Sequence, residues 1–167
     1  MVTTKRTIFD HEKLEVYQFE LQFIAWVTPL IEDAKAIATG KSREVCDQLD
    51  RASLSALLNT AEGNGKRQGQ IRAKFFDDAR GSATECAACL DALVAKQIFN
   101  NERTAEGKSL LLRIVSMLCA LVARFDGATM GFHDEPMADQ VSKTITEAVN
   151  YKQPRRRTRR RRRTTHP

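Results

Sequence analysis

The chain has 167 residues, 42% of them hydrophobic, and its 27 lysines and arginines against 21 aspartates and glutamates give a net charge of +6. No stretch approaches the roughly 18 consecutive apolar residues of a membrane span. The first residues lack the charged, apolar and small-residue regions that follow one another in a signal peptide. We therefore expect one globular domain with a sizeable core, located in the cytoplasm.

The first predicted helix runs from Phe9 to Ala38 and carries two apolar stripes with three-four spacing. At about 100° per residue, the stripes lie roughly 130° apart around the helix. We therefore expect one stripe to pack inside the subunit and the other against a neighbouring subunit; the alternative is a helix buried deep within its own bundle. One stripe is Leu14, Tyr17, Leu21, Ile24, Thr28 and Ile31, and the other is Val16, Phe19, Phe23, Val27, Leu30, Ala34 and Ile37.

Three further helices are predicted by the same spacing, over residues 42–63, about 70–99 and 104–125, with a turn at residues 63–65 between the first two. Short connections between four helices favour an all-α fold over residues 1–125, an antiparallel bundle in up-down-up-down order. The apolar seams of the last two helices are Phe76, Ala79, Ala83, Cys86, Leu90 and Leu93, and Leu111, Ile114, Leu118, Leu121 and Phe125.

The composition changes after residue 125, where glycine, proline and polar residues dominate. We expect a flexible segment over residues 126–150, in which residues 137–150 could form a short helix. Residues 151–167 hold nine basic side chains and no acidic one, so residues 1–150 are left with 18 basic and 21 acidic side chains. Such a tail cannot bury enough apolar surface to offset its ordering entropy, so it is predicted to be disordered.

The arginines of this tail are the strongest predicted contact for a polyanion. Each can pair with a phosphate and release counterions, so binding should weaken by roughly 0.7 to 0.9 log units per contact as salt rises tenfold. No aromatic residue follows Tyr151, which favours electrostatic attachment over reading of bases. The predicted contacts are Arg155, Arg156, Arg157, Arg159, Arg160, Arg161, Arg162 and Arg163. The alternatives are a solubilising tail, or an acidic protein or membrane surface as its partner.

Three phrases of the sequence resemble a known family: FDHEKLEVYQFELQFIAWV at 9–27, NTAEG at 59–63 and FFDDARGSATE at 75–85. The chain is similar over about residues 9–125 to the four-helix-bundle proteins encoded in intervening sequences of 23S ribosomal RNA genes. Thr60 stands where the family phrase usually has isoleucine. The resemblance implies a ring-like homopentamer. A more distant similarity, to the accessory protein of diversity-generating retroelements, implies work with a reverse transcriptase and nucleic acid.

The charged residues near the connection between the second and third predicted helices have two interpretations. Glu62, Arg80 and Glu85 are predicted to form a structural charge network between the second and third helices, because a partly buried arginine needs anionic partners. The same end of the bundle is a candidate phosphate-binding site, although a set of polar residues is also typical of a solvated rim. Its predicted nucleic-acid contacts are Lys66, Arg67, Arg72 and Lys74, with Asn59 beside them.

Enzymatic activity is not expected, because no serine, histidine and acid stand in a recognisable nucleophile motif. Cys86 and Cys89 have CxxC spacing but no second ligand pair, so we expect reduced thiols, no metal and no cofactor. The sequence therefore predicts a homo-oligomeric bundle that binds nucleic acid electrostatically, as an accessory factor in RNA or retroelement processes. One rival is a scaffold for a protein partner. The other is an enzyme with an unrecognised polar site around Glu62 and Arg80.

Overall fold

The structure is a computed structural model, and it describes residues 9–37 and 40–127. A short 3-10 turn, Asp10–Lys13, precedes four long helices, and this part of the chain contains no strand. The helices are α1 (Glu15–Ile37), α2 (Lys41–Gly65), α3 (Gly69–Ala95) and α4 (Asn101–Phe125). The predicted all-α fold is confirmed, whereas the predictions for residues 128–167 lie outside the described residues.

Side-chain contacts between neighbouring helices show that all four pairs are antiparallel. In each pair, the contacts move toward the start of one helix as they move toward the end of the other. Between α1 and α2, Glu20 contacts Thr60 and Lys35 contacts Asp47; between α2 and α3, Gln48 contacts Glu85 and Asn64 contacts Arg72. Between α3 and α4, Asp91 contacts Lys108 and Phe76 contacts Phe125; between α1 and α4, Glu15 contacts Arg113 and Asp33 contacts Arg103. The four helices therefore alternate in direction, as the up-down-up-down prediction requires.

The core is formed by the predicted seams. Every predicted seam residue of α3 is buried, and in α4 Leu111, Ile114 and Leu118 are buried while Leu121 and Phe125 pack against the core from its edge. On α1, the stripe beginning at Val16 supplies most of the buried residues, whereas Leu21 of the other stripe is 40% exposed. One stripe therefore packs inside the subunit, and part of the other stays on the surface of this chain.

Several predicted helix limits are wrong: α1 begins at Glu15 rather than Phe9, and α3 ends at Ala95 rather than Phe99. α2 continues through the predicted turn to Gly65, and the turn lies at residues 66–68. α4 begins at Asn101 rather than Thr104, because the Asn100 side chain accepts a hydrogen bond from the Arg103 backbone N–H at 2.9 Å. An asparagine in this position satisfies a backbone donor that has no partner within the helix.

Gly63 and Gly107 lie inside helices where neighbouring aromatic rings leave no space for a side chain. A Cβ atom on Gly107 would lie 2.1 Å from the Trp26 ring, and one on Gly63 would lie 2.9 Å from Cβ of Phe75. These glycines therefore serve close packing, of α1 on α4 and of α2 on α3, and not helix termination.

A carboxyl group is buried in the apolar interior. Glu20 is 2% exposed and Thr60 is fully buried; the Thr60 hydroxyl donates to Oε1 of Glu20 at 2.7 Å, and Oε2 has no hydrogen-bond partner among the described residues. Burial raises the pKa of Glu20 to about 8, and the hydrogen bond from Thr60 opposes this rise. Thr60, the departure from the family phrase, thus satisfies one oxygen of a buried acid, which isoleucine could not do.

All four cysteines are free thiols: Cys46, Cys86 and Cys89 are buried, and Cys119 is half-buried. Burial raises the pKa of Cys86 to about 12, so this thiol keeps its proton at neutral pH. Within residues 9–37 and 40–127, no helix combines the length and apolar character needed to cross a membrane.

Candidate nucleic-acid interface

The four basic residues predicted at the second connection lie together at one end of the bundle, where α2 ends, α3 begins and α4 ends. Lys66 and Arg67 belong to the turn after α2, and Arg72 and Lys74 belong to the first two turns of α3. We call this region, defined by Lys66, Arg67, Arg72, Lys74 and the nearby Arg124, the α2–α3 junction. The tail arginines at 155–157 and 159–163 lie outside the described residues.

The two lysines of the junction are held by carboxylates and by one aromatic ring. Lys66 forms an ion pair with Glu62 at 2.7 Å, and Lys74 forms one with Asp78 at 2.8 Å, each one helical turn away. Both ammonium groups also lie over the Phe75 ring, at 4.7 and 5.7 Å from its centroid. The ion pair with Asp78 raises the pKa of Lys74. Each of these two lysines therefore already has a carboxylate partner.

Arg72 is held differently, without a carboxylate. Its Nη2 donates to Oδ1 of Asn64 at 3.0 Å, and its guanidinium carbon lies 4.1 Å from the centroid of the Phe125 ring. The Arg124 guanidinium lies over the same ring at 5.5 Å. Neither arginine forms an ion pair with a described residue, and the buried Nε of Arg72 has no hydrogen-bond partner among them. Phe125 thus lies beneath two guanidinium groups that form no ion pair with a described residue.

Arg124 and Phe125 were not predicted as members of this site. Phe125 was assigned to the core seam of the fourth helix, and Arg124 is one of many charged surface residues. The antiparallel order does supply a signal, because it places the end of the fourth helix beside the start of the third.

Glycine makes the junction compact. A Cβ atom on Gly69 would lie 3.0 Å from the backbone oxygen of Phe125, so α3 starts in direct contact with the end of α4. Gly63 brings the last turn of α2 equally close to Phe75 and Phe76. The basic side chains of the junction are therefore attached to three closely packed helix ends.

The predicted charge network of Glu62, Arg80 and Glu85 is not formed. Arg80 pairs with Asp77 at 2.7 Å, Glu62 pairs with Lys66, and Glu85 accepts a hydrogen bond from Gln48 at 2.6 Å. The reason is the register of α2 and α3, which places Gly63 against Phe75 and Ser55 against Ser82, so Glu62 and Arg80 are displaced along the bundle. The Arg80 side chain is 41% exposed, and Asp77 raises its pKa.

The junction presents hydrogen-bond donors and positive charge, which suit phosphate oxygens. No group of three or more histidine, cysteine, aspartate or glutamate side chains suited to hold a metal ion occurs among residues 9–37 and 40–127. The arrangement of the described residues therefore fits recognition of an anion.

Comparison with known proteins gives one result for this chain. The family model described as 23S rRNA-intervening sequence protein matches residues 12–120, which include all of α1, α2 and α3 and most of α4. Neither the curated proteins nor the solved structures contain a match. Because the matched region covers well over half of the sequence, the chain belongs to the 23S rRNA-intervening sequence protein family.

Proposed function

We propose that this protein is a non-catalytic, cytoplasmic, homo-oligomeric bundle that binds nucleic acid electrostatically, as an accessory factor in RNA or retroelement processes that involve a reverse transcriptase. The observation that carries the proposal is the basic segment at 151–167, with nine positive side chains and no acidic one. Such a local concentration of positive charge attracts polyanions. The family name, which refers to a ribosomal RNA gene, supports an RNA context.

The α2–α3 junction supports the same proposal independently of the tail. Arg67, Arg72 and Arg124 form no ion pair with a described residue, although the helices around them carry many carboxylates. A cluster of positive groups in one place on the surface is typical of nucleic-acid-binding proteins.

Exposed leucines support the oligomeric part of the proposal. Leu21 of α1 is 40% exposed, and Leu54 and Leu58, one turn apart on α2, are 52% and 57% exposed. Burying such side chains against a second copy would contribute about 25 cal/mol for each Å² of apolar surface removed from water. A homopentamer, which the family resemblance implies, would carry five basic tails and gain avidity from them.

The same leucines favour a second candidate function, an oligomeric scaffold for a protein partner without a direct role in nucleic-acid binding. Exposed apolar side chains do not distinguish a second copy from another protein. Under this alternative, the basic tail would serve solubility.

The two functions are separated by binding of labelled RNA and duplex DNA across a salt series, with the full chain and a truncation after Tyr151. We expect the full chain to bind with a steep salt dependence and the truncation to lose most of its affinity. Light scattering on both proteins measures the oligomeric state. If neither protein binds at low salt, the nucleic-acid proposal is wrong and the scaffold is favoured.

A further inference from the structure

We infer that Arg72 and Arg124, whose guanidinium groups both lie over the Phe125 ring, form a contact for backbone phosphates of nucleic acid, with Arg67 as an adjoining donor. This inference rests on the proposed nucleic-acid binding and adds to it a contact of defined geometry. A run of basic residues attracts phosphates by charge alone, whereas the junction restrains the Arg72 guanidinium by two contacts.

Arg72 is restrained by two contacts before any ligand binds. The hydrogen bond to Asn64 at 3.0 Å sets the direction of Nη2, and the Phe125 ring at 4.1 Å sets the plane of the guanidinium. A long side chain loses conformational freedom when a ligand immobilises it, and a side chain that is already restrained avoids most of that cost. Nη1 makes no hydrogen bond to a described residue and is the donor left for a phosphate oxygen.

The aromatic ring brings the second arginine close to the first. Because the guanidinium carbons of Arg72 and Arg124 lie 4.1 and 5.5 Å from the same centroid, they lie within about 10 Å of each other. A separation within this bound allows the two groups to contact neighbouring phosphates of one backbone, and each guanidinium presents parallel N–H donors that a lysine lacks.

The local charge favours an anion. The two lysines of the junction already bind Glu62 and Asp78, but Arg67, Arg72 and Arg124 bind no carboxylate among the described residues. Arg67 is exposed and follows the last turn of α2 directly. Three positive groups thus remain for a ligand at one end of the bundle.

The chemistry identifies the ligand as the phosphate backbone and not the bases. Guanidinium groups that bind phosphate position a nucleic acid without reading its sequence. The Phe125 ring has cationic groups over it, so it is not free to stack on a base. We therefore expect RNA and DNA of any sequence to use this contact.

The test compares the full-length protein with three variants in binding a labelled single-stranded RNA across a salt series. Arg72→Lys keeps the charge but removes the planar donors, and we expect it to bind about tenfold more weakly, as the loss of one oriented charge-assisted hydrogen bond implies. Arg67→Gln should reduce the slope of log affinity against log salt by roughly 0.7 to 0.9, the value of one phosphate contact. Arg43→Gln is the control, because Arg43 is exposed at the opposite end of α2, and it should bind like the unmodified protein.

Thermal unfolding of each variant shows whether the fold is retained, and Arg67→Gln keeps the test decisive if Arg72→Lys is unstable. If the unmodified protein binds RNA and both junction variants bind with its affinity and slope, the inference is wrong and the tail accounts for binding. If the unmodified protein binds no RNA, the proposed function itself fails, and this inference fails with it.

Discussion

Replacing Glu20 with glutamine is expected to remove a large pH dependence from the stability of this protein. The Glu20 carboxyl has a pKa of about 8 in the folded chain against an ordinary value of 4.5. Below pH 4.5, the Glu20 carboxyl is protonated in both the folded and the unfolded chain, and the free energy of unfolding is not reduced by its ionisation. As the pH rises, the unfolded chain releases its proton first, so the free energy of unfolding falls until the native carboxyl also ionises.

The size of the effect follows from the two pKa values. Each pH unit between them costs 1.36 kcal/mol, so stability should fall by about 3 kcal/mol between pH 4.5 and pH 7 and by about 5 kcal/mol above pH 8. Asp47, whose pKa is lowered by Lys35, acts in the opposite sense, but its contribution is lost only in more acidic solution. From pH 5 to pH 8.5 the contribution of Glu20 therefore changes while that of Asp47 stays nearly constant.

Urea denaturation at several pH values in this range measures the effect, and the slope of the profile matters more than the absolute stability. Glu20→Gln retains an oxygen for the Thr60 hydroxyl but cannot titrate, so its profile should be nearly flat where the unmodified protein loses stability. Glu32→Gln is the matched control, because Glu32 is exposed on the same helix, and its profile should follow that of the unmodified protein. Parallel profiles for Glu20→Gln and the unmodified protein would refute the reasoning.

Three further substitutions test the packing and the surface. Gly107→Ala places a Cβ atom 2.1 Å from the Trp26 ring and should reduce stability by about 1–3 kcal/mol in urea denaturation; an unchanged midpoint would show that α1 and α4 pack less closely. Arg80→Ala breaks only the exposed ion pair with Asp77, so the free energy of unfolding measured in urea should fall by less than about 1 kcal/mol. A fall of about 3 kcal/mol or more would instead support the charge network predicted from the sequence. Leu58→Glu should leave thermal unfolding of the subunit unchanged and reduce the mass measured by light scattering, whereas an unchanged assembly would exclude this leucine from the subunit contact.

The helices and the core could be predicted from the sequence because they follow from periodicity, which is a local property. The α3 seam from Phe76 to Leu93 repeats every three or four residues and is buried throughout. Helix ends were predicted less well: Gly63 and Gly107 look like breaks in a sequence, but each permits an aromatic ring to approach a helix. Their role depends on a neighbouring helix, which spacing alone does not reveal.

The candidate site was predicted only in part, for the same physical reason. Lys66, Arg67, Arg72 and Lys74 are close in sequence and could be recognised as a basic cluster. Arg124 and Phe125 join them only because α4 returns to the same end of the bundle. The predicted pairing of Arg80 with Glu62 was wrong because it assumed contact across the turn, whereas the register of α2 and α3 separates the two side chains and leaves Arg80 beside Asp77.

The position of Trp26 gives the molecule a built-in fluorescent reporter of one helix contact. The chain has a single tryptophan, whose ring packs on Gly107 and whose Nε1 donates to Glu106 at 3.1 Å. Indole emission depends on the surrounding solvent, so its shift follows water entering between α1 and α4. Recorded together with helix content during denaturation, it reports whether α1 separates from α4 before the four helices unfold.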